Sequence, residues 1–467
     1  MLKQQKIFFD FLRFCIGSAK EIPSTLKEVD WKELYAIAQK QCLLGILFDG
    51  IKKLPAEHVG MEKELLLQWM AESQMLEKAN VRLNDAAIQV SEWFLKKGFR
   101  TCILKGQGNA LMYPNPYSRT PGDIDIWVEG GDKRVISFVR SISPHEKACY
   151  HHIEFPSYKG VEVEVHYRPS FLLCFWHNRK LQKYYERVKD EQFSHRVMFS
   201  EQREVAIPTV EFNLIFQLTH IYAHLMNEGI GLRQLVDYYF VLCDFYKVYQ
   251  NFSKITPSLF TLKEGDFSNH PVPLSKEGST FSPSPSSSGS GDVTAPSRCS
   301  EPLRSKVGGP SKVSPNCAGW DRRDAIGDMT SATASTSTDT SATAARSSFA
   351  ANSSAAIDRV QKELKELGLW KFAGGIMYIM QEVFGMPASR LIVPPNEKYG
   401  KFVLNEVLEA GNFGRHDARN QFGRSKLGHN LQRVYRDIRL VRYFPAEALS
   451  EPIFRTWHFF WRLKHKR

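Results

Sequence analysis

Residues 122–128 read GDIDIWV, and this heptapeptide constrains the chain more than any other stretch. Asp123 and Asp125 sit one residue apart among Ile124, Ile126, Trp127 and Val128. The apolar run predicts a short buried strand, and side chains alternate along a strand, so both carboxylates share one face. Two carboxylates so placed repel each other and lose hydration, a cost that a bound cation relieves. Mg2+ is the usual partner, a hard ion that takes oxygen ligands and bridges to phosphates.

A third acid extends the pattern. Residues 161–167 read VEVEVHY, an alternating strand with Glu162, Glu164 and His166 on one face. If this strand lies beside the first, Glu164 joins Asp123 and Asp125; Glu162 shares the face and could take that place instead. Three carboxylates can hold two metal ions that flank the attacking and leaving oxygens of a phosphoryl displacement. Upstream, TCILKG predicts a strand over 101–104 that ends at Lys105-Gly106, and a helix follows over roughly 107–113. A glycine at a helix start lets phosphate approach backbone N–H groups. Lys105 adds a point charge and Arg119 a bidentate fork for phosphate oxygens.

The order Lys-Gly, then Arg-x-x-Gly-Asp-x-Asp, then an acid-x-His strand resembles the polymerase-β-like nucleotidyltransferase superfamily. Within it, the chain is similar to a poorly characterised bacterial nucleotidyltransferase family with flanking helices. The resemblance runs on through VEFNLIFQLTHIYAHL (210–225), GIGLRQLVDYYFVL (229–242), GNFGRHD (411–417) and EPIFRTWHFFWR (451–462). It departs at the turn: superfamily members often carry Gly-Ser or Gly-Gly where this chain has Gly106-Gln107. The resemblance implies an α+β (α/β) fold in which a small mixed sheet is flanked by helical regions. It also implies transfer of a nucleoside monophosphate from Mg-NTP, with Mn2+ as a substitute, and release of pyrophosphate. Asp123, Asp125 and Glu164 would be both catalytic and metal-binding, and Lys105, Gly106 and Arg119 would hold phosphates. The acceptor is open: a small molecule, a sugar phosphate of envelope polysaccharide synthesis, a protein or an RNA. A non-catalytic nucleotide-binding or antitoxin-like regulator is the alternative on the same fold.

The chain has 467 residues, enough for two or three domains, and 43% of them are hydrophobic. No apolar run reaches the length of a transmembrane helix. The N-terminal MLKQQKIFFDFLRFCIGSAK has charges within its apolar stretch and reads as an amphipathic helix rather than a secretory signal. Eight cysteines without CxxC spacing fit reduced thiols in a cytoplasmic protein. The net charge of +12 is uneven: residues 412–467 hold 13 Lys/Arg and 4 Asp/Glu, so they contribute +9. Such a tail either meets a polyanion, nucleic acid included, or covers apolar surface with its Arg stems.

Organisation follows from periodicity and composition. Residues 1–97 read as helical, 98–208 as the nucleotidyltransferase core, 209–264 as helical again, and 356–467 as a C-terminal helical region with a basic tail. A further strand is predicted over 148–155. Between the helical parts, residues 265–355 are dominated by Ser, Thr, Ala, Pro and Gly, with eight Lys/Arg balancing eight Asp/Glu. A segment this poor in apolar residues reads as a disordered insert. In the 209–264 region, Leu214, Leu218, Ile221 and Leu225 form one core stripe. His220 and His224 lie four apart, a spacing that can place two imidazoles on one metal, but no Glu lies between them in the HExxH manner. A structural or substrate-facing role suits His220 better. Arg233 and Asp237 are also four apart, and either pair on the helix or face substrate. His166 either faces the site or is a hydrogen-bonded strand histidine.

Overall fold

Gly98 marks the point where an N-terminal helical layer hands over to a sheet. The computed structural model describes residues 3–200, 203–259, 339–417, 419 and 426–465. Helices α1 (Lys3–Ile16), α2 (Trp31–Lys40), α3 (Leu44–Ile51) and α4 (Lys63–Lys96) come first. Just past α4, Gly98 adopts φ +80°, the left-handed conformation with which glycine closes a helix. The core follows as β1 (Thr101–Ile103), α5 (Gln107–Ala110), β2 (Ile124–Val128), α6 (Gly131–Ile142), β3 (His152–Tyr158) and β4 (Val161–His166). After α7 (Phe175–Ser194), a small hairpin of β5 (Arg196–Ser200) and β6 (Arg203–Ala206) leads into α8 (Val210–Asn227) and α9 (Leu232–Leu259). The chain is described again from α10 (Asp339–Glu366), through α11 (Trp370–Glu382) and α12 (Glu397–Ala410), to α13 (Lys426–Val441) and α14 (Pro445–Lys464).

The main sheet has the order β1-β2-β4-β3. β2 and β4 run parallel, and the two outer strands pair antiparallel. Its two faces differ as the alternation requires. Ile124, Ile126 and Val128 of β2, with Val163 and Val165 of β4, share a core with α4 and α6 through residues such as Val90, Phe94 and Val135. Burial of side chains this size contributes about 1.5–3 kcal/mol each, so this face holds the sheet in place. The other face carries Asp125, Trp127, Glu164 and His166. Trp127 packs on Phe193 and Phe212, which ties the functional face to α7 and α8. Leu214, Leu218, Ile221 and Leu225 are buried in the larger core, as their stripe predicts.

Three boundaries differ from the expectation. The strand expected over 148–155 runs from His152 to Tyr158, and Ala148 makes only an isolated bridge to Ile153. The helix expected over 107–113 is a single turn, Gln107–Ala110, because Pro114 and Pro116 follow closely and disfavour helical backbone before them. Helix α10 begins at Asp339 rather than near 356, and neither Gly nor Pro interrupts Asp339–Glu366. Residues 260–338, with Cys299, Cys317 and the part of the expected disordered insert that runs from 265 to 338, lie outside the described residues. The described residues of 1–258 and 341–467 form one compact unit. Among the described residues no helix is long and apolar enough to cross a membrane, and six cysteines are free thiols.

Candidate active site

Strand register brings the acids together. Asp125 of β2 lies directly opposite Glu164 of the parallel β4, and Asp123 precedes β2 by one residue. One ligand atom from each of Asp123, Asp125 and Glu164 lies within 4.8 Å of the other two. Glu162, the alternative third acid, lines the same cavity but is absent from this cluster. Asp125 is only 3% exposed. Its Oδ1 lies 3.1 Å from Lys105 Nζ and 2.9 Å from His166 Nε2. Its Oδ2 is buried and has no hydrogen-bond partner among the described residues. An orphaned buried carboxylate oxygen is costly, and beside two more carboxylates it has the chemistry of a ligand for a hard divalent cation.

The charges around Asp125 settle its state. Burial pushes its carboxyl up, but Lys105 and His166 outweigh burial and hold it well below the usual carboxylate range. Asp123 is pushed up, first by the neighbouring Asp125 charge and then by burial. Burial raises Glu164, yet the hydrogen bond from His166 leaves it lowered. Burial opposes the Lys105 ammonium, but Asp125, Asp123 and Glu164 raise it above its ordinary value. His166 Nδ1 lies 3.3 Å from the Arg168 carbonyl oxygen while Nε2 faces the acids. Both neighbours only accept, so the ring carries both protons. Burial opposes this, and the hydrogen bonds to Asp125 and Glu164 push His166 up to about 9.

Lys105 also lies 3.2 Å from His220 Nε2. An ammonium only donates, so that nitrogen accepts. Burial, then Lys105, keep His220 well below its ordinary pKa and therefore neutral. His224 turns to Glu228 at 3.2 Å, and among the described residues the two histidines share no metal-type cluster. Gly106 has φ +57°, a conformation strained for any L side chain. Gln107, where the superfamily often has Ser or Gly, is buried and donates to the Asn84 side chain and the Asn80 carbonyl. The departure at the turn thus anchors it to α4.

Arg119 lines the same cavity, with its guanidinium already engaged. Its Nε and Nη2 donate to Asp237 Oδ1 and Oδ2 at 2.8 and 2.9 Å, and Tyr113 Oη donates to Oδ1 at 2.6 Å. Both side chains of the pair are at most 5% exposed. The Arg119 fork is therefore filled by Asp237, and no Arg233–Asp237 ion pair forms. Arg233 makes no ion pair among the described residues, although the Asp237 charge acts on it. It is 8% exposed, and its Nη1 donates to the Thr120 carbonyl at 3.2 Å. Its guanidinium lies 5.5 Å from the Phe413 ring centre, and Nε has no partner among the described residues.

These groups open on one cavity of about 780 Å3. Lys105, Gly106, Arg119, Asp123, Asp125, Glu164, His166, His220, Arg233 and Asp237 all line it. Sequence reasoning missed His152, whose Nδ1 lies 3.2 Å from Glu164 Oε2 and which pairs with His166 across β3 and β4. The alternation His152, Glu154 on the third strand was the available signal. The basic tail is part of the wall. Arg415, Arg433, Arg455 and Arg462 line the cavity with His458. Helix α14 is docked by Phe454 and Trp457 against Tyr150. It is held also by Glu447, which accepts from the Leu173 and Cys174 backbone N–H groups.

A small mixed sheet that gathers three carboxylates on one face above a charged cavity is the arrangement that the resemblance to nucleotidyltransferases implies. Residues 27–251 match the model of the uncharacterised nucleotidyltransferase family. The match takes in α2 through most of α9 and stops before α10–α14. No curated protein and no solved structure matches the chain.

Proposed function

We propose that this chain transfers a nucleoside monophosphate from Mg-NTP to an acceptor and releases pyrophosphate. The observation that carries this reading is the in-register Asp125–Glu164 pair beside Asp123, with the buried, partnerless Asp125 Oδ2. A divalent ion, Mg2+ or Mn2+, held by Asp123, Asp125 and Glu164 supplies charge neutralisation for the triphosphate and its leaving group. Lys105 and His166 keep Asp125 ionised and fix its orientation. Lys105 and Arg233 present positive charge to the phosphates, Arg233 in the role expected of Arg119, and Gly106 lets the chain turn close beside them. The acceptor oxygen bonds to the α-phosphorus as the bond to the α–β bridging oxygen breaks. The acceptor proton passes to Glu164, the more accessible carboxylate, which His152 and His166 flank. The acceptor is a small molecule, a sugar phosphate, a protein or an RNA, and a cytoplasmic setting suits both the NTP and the free thiols.

The test is the Asp123→Asn, Asp125→Asn double variant in a pyrophosphate-release assay with Mg2+ and mixed acceptors. It should keep the wild-type circular dichroism and lose turnover. Wild-type turnover in that variant would remove both carboxylates from the mechanism.

A further inference from the structure

The family match ends before the C-terminal helices, yet those helices supply one wall of the cavity. That wall is strongly cationic. Arg433 Nη1 lies 3.4 Å from Glu451 Oε1 and Arg455 Nη2 lies 3.6 Å from Glu451 Oε2, so two guanidiniums share one buried carboxylate. Arg462 makes no ion pair among the described residues. Three cations against one carboxylate leave this wall with a net charge of +2. Asp437, beside Glu451, offsets part of this charge near neutral pH, because burial and then Glu451 push its carboxyl up to about 7.

The wall also has a definite place relative to the acids. Tyr150 N donates to His458 Nε2 at 3.1 Å. Next to Tyr150, Cys149 Sγ lies 3.4 Å from His151 Nδ1, and His151 Nε2 lies 3.1 Å from His152 Nδ1. His152 in turn reaches Glu164. Arg433 and Arg462 beside His458, with Arg455 on the shared Glu451, therefore adjoin the flank of Glu164, whereas Lys105 and His220 stand on the Asp125 side and Arg415 follows Phe413 beside His224 and Arg233. Phe171 and Phe454, stacked 5.2 Å apart, line the cavity on the same flank.

We infer that Arg433, Arg455 and Arg462 form an anion subsite for the acceptor, and that the acceptor is a phosphate ester. The inference rests on the nucleotidyl-transfer reading for the word acceptor, but the anion subsite stands on geometry alone. An acceptor phosphate gripped here would present its hydroxyl toward Glu164, the group that takes its proton. Guanidinium forks suit this task, since they meet phosphate oxygens in pairs.

Calorimetry on the full chain tests it. Protein saturated with Mg2+ and a non-hydrolysable NTP is titrated with inorganic phosphate, a hexose phosphate and the unphosphorylated hexose. The phosphate and the hexose phosphate should bind and the hexose should not. Arg455→Gln with Arg462→Gln should weaken hexose phosphate binding about tenfold or more, the scale of a lost charge-assisted contact, while NTP affinity stays within about twofold. Arg462→Gln alone, at an exposed residue, guards against misfolding and should show a smaller loss of the same kind. Equal binding of the neutral hexose would overturn the inference. So would an equal fall in NTP affinity, which would assign the wall to the triphosphate. If the wild type binds no NTP at all, the transfer reading fails; phosphate binding by the NTP-free protein, lost in the double variant, would still establish the subsite.

Discussion

Asp237→Asn is the substitution whose outcome separates two roles for Arg119. In the structure Asp237 accepts two N–H bonds from Arg119 and an O–H bond from Tyr113, all in the interior. Asparagine keeps the volume and removes the charge, so no cavity term enters. Two guanidiniums, Arg119 and Arg233, then remain with no carboxylate between them. Breaking a buried pair in this way costs about 3–5 kcal/mol. A Coulomb term of about 4 kcal/mol at 4 Å and an effective dielectric near 20 agrees with that scale. Arg119→Met should cost less, because Asp237 keeps Tyr113 and can draw Arg233, four residues away on α9. Arg119→Met combined with Asp237→Leu should recover part of the Asp237→Asn loss, since no unpaired carboxylate or Arg119 charge remains inside. Urea unfolding followed by circular dichroism measures all three. If Asp237→Asn unfolds within about 0.5 kcal/mol of wild type while NTP affinity drops, Arg119 serves the phosphates and the structural reading is wrong.

Other outcomes follow from the same site. His166 titrates at about 9 in the folded protein, above the roughly 6.5 of an unfolded histidine. A raised folded pKa gives stability that is complete below pH 6.5 and disappears as pH climbs through 9, on the order of 3 kcal/mol. Metal-free wild type should therefore lose stability from pH 7 to 10 relative to His166→Gln, and parallel profiles would exclude a protonated His166. Lys105→Ala removes a charge that lowers both Asp123 and Asp125. Mn2+ binding, read by electron paramagnetic resonance, should need higher pH, and Mg-NTP affinity should fall by about 1–3 kcal/mol; unchanged affinity would take Lys105 out of the site. Gly106→Ala should cost about 1–2 kcal/mol in thermal unfolding through its positive φ. The added Cβ meets only ordinary contact at 3.5 Å with the Asp123 carbonyl, so a loss several times larger would point to a cause other than backbone strain.

The acid cluster was legible because a strand has a period of two. Asp123, Asp125 and Glu164 had to share a face once their strands adjoined, and the branched residues between them left one face to bury. What holds Arg119 was missed for the opposite reason. Its partner Asp237 lies 118 residues away in sequence, and local helix spacing pointed instead to Arg233. The length of α5 could have been read from Pro114 and Pro116, which outweighed the propensity of the residues before them. The positive charge of 412–467 was countable in the sequence. Its position was not, because Phe454, Trp457 and Glu447 find their partners only through long-range packing. His152 lay in plain view on a strand, but its approach to Glu164 depends on the β3–β4 pairing.

Label transfer tests nucleotidyl transfer most directly. Wild-type protein is incubated with Mg2+, a pool of candidate phosphate-ester acceptors, and NTP labelled at either the α- or the γ-phosphate. The α-label should move to an acceptor while the γ-label appears in pyrophosphate, and both movements should vanish in Asp123→Asn and Asp125→Asn. A γ-label found on the acceptor, or α-label transfer that survives both substitutions, would contradict the account.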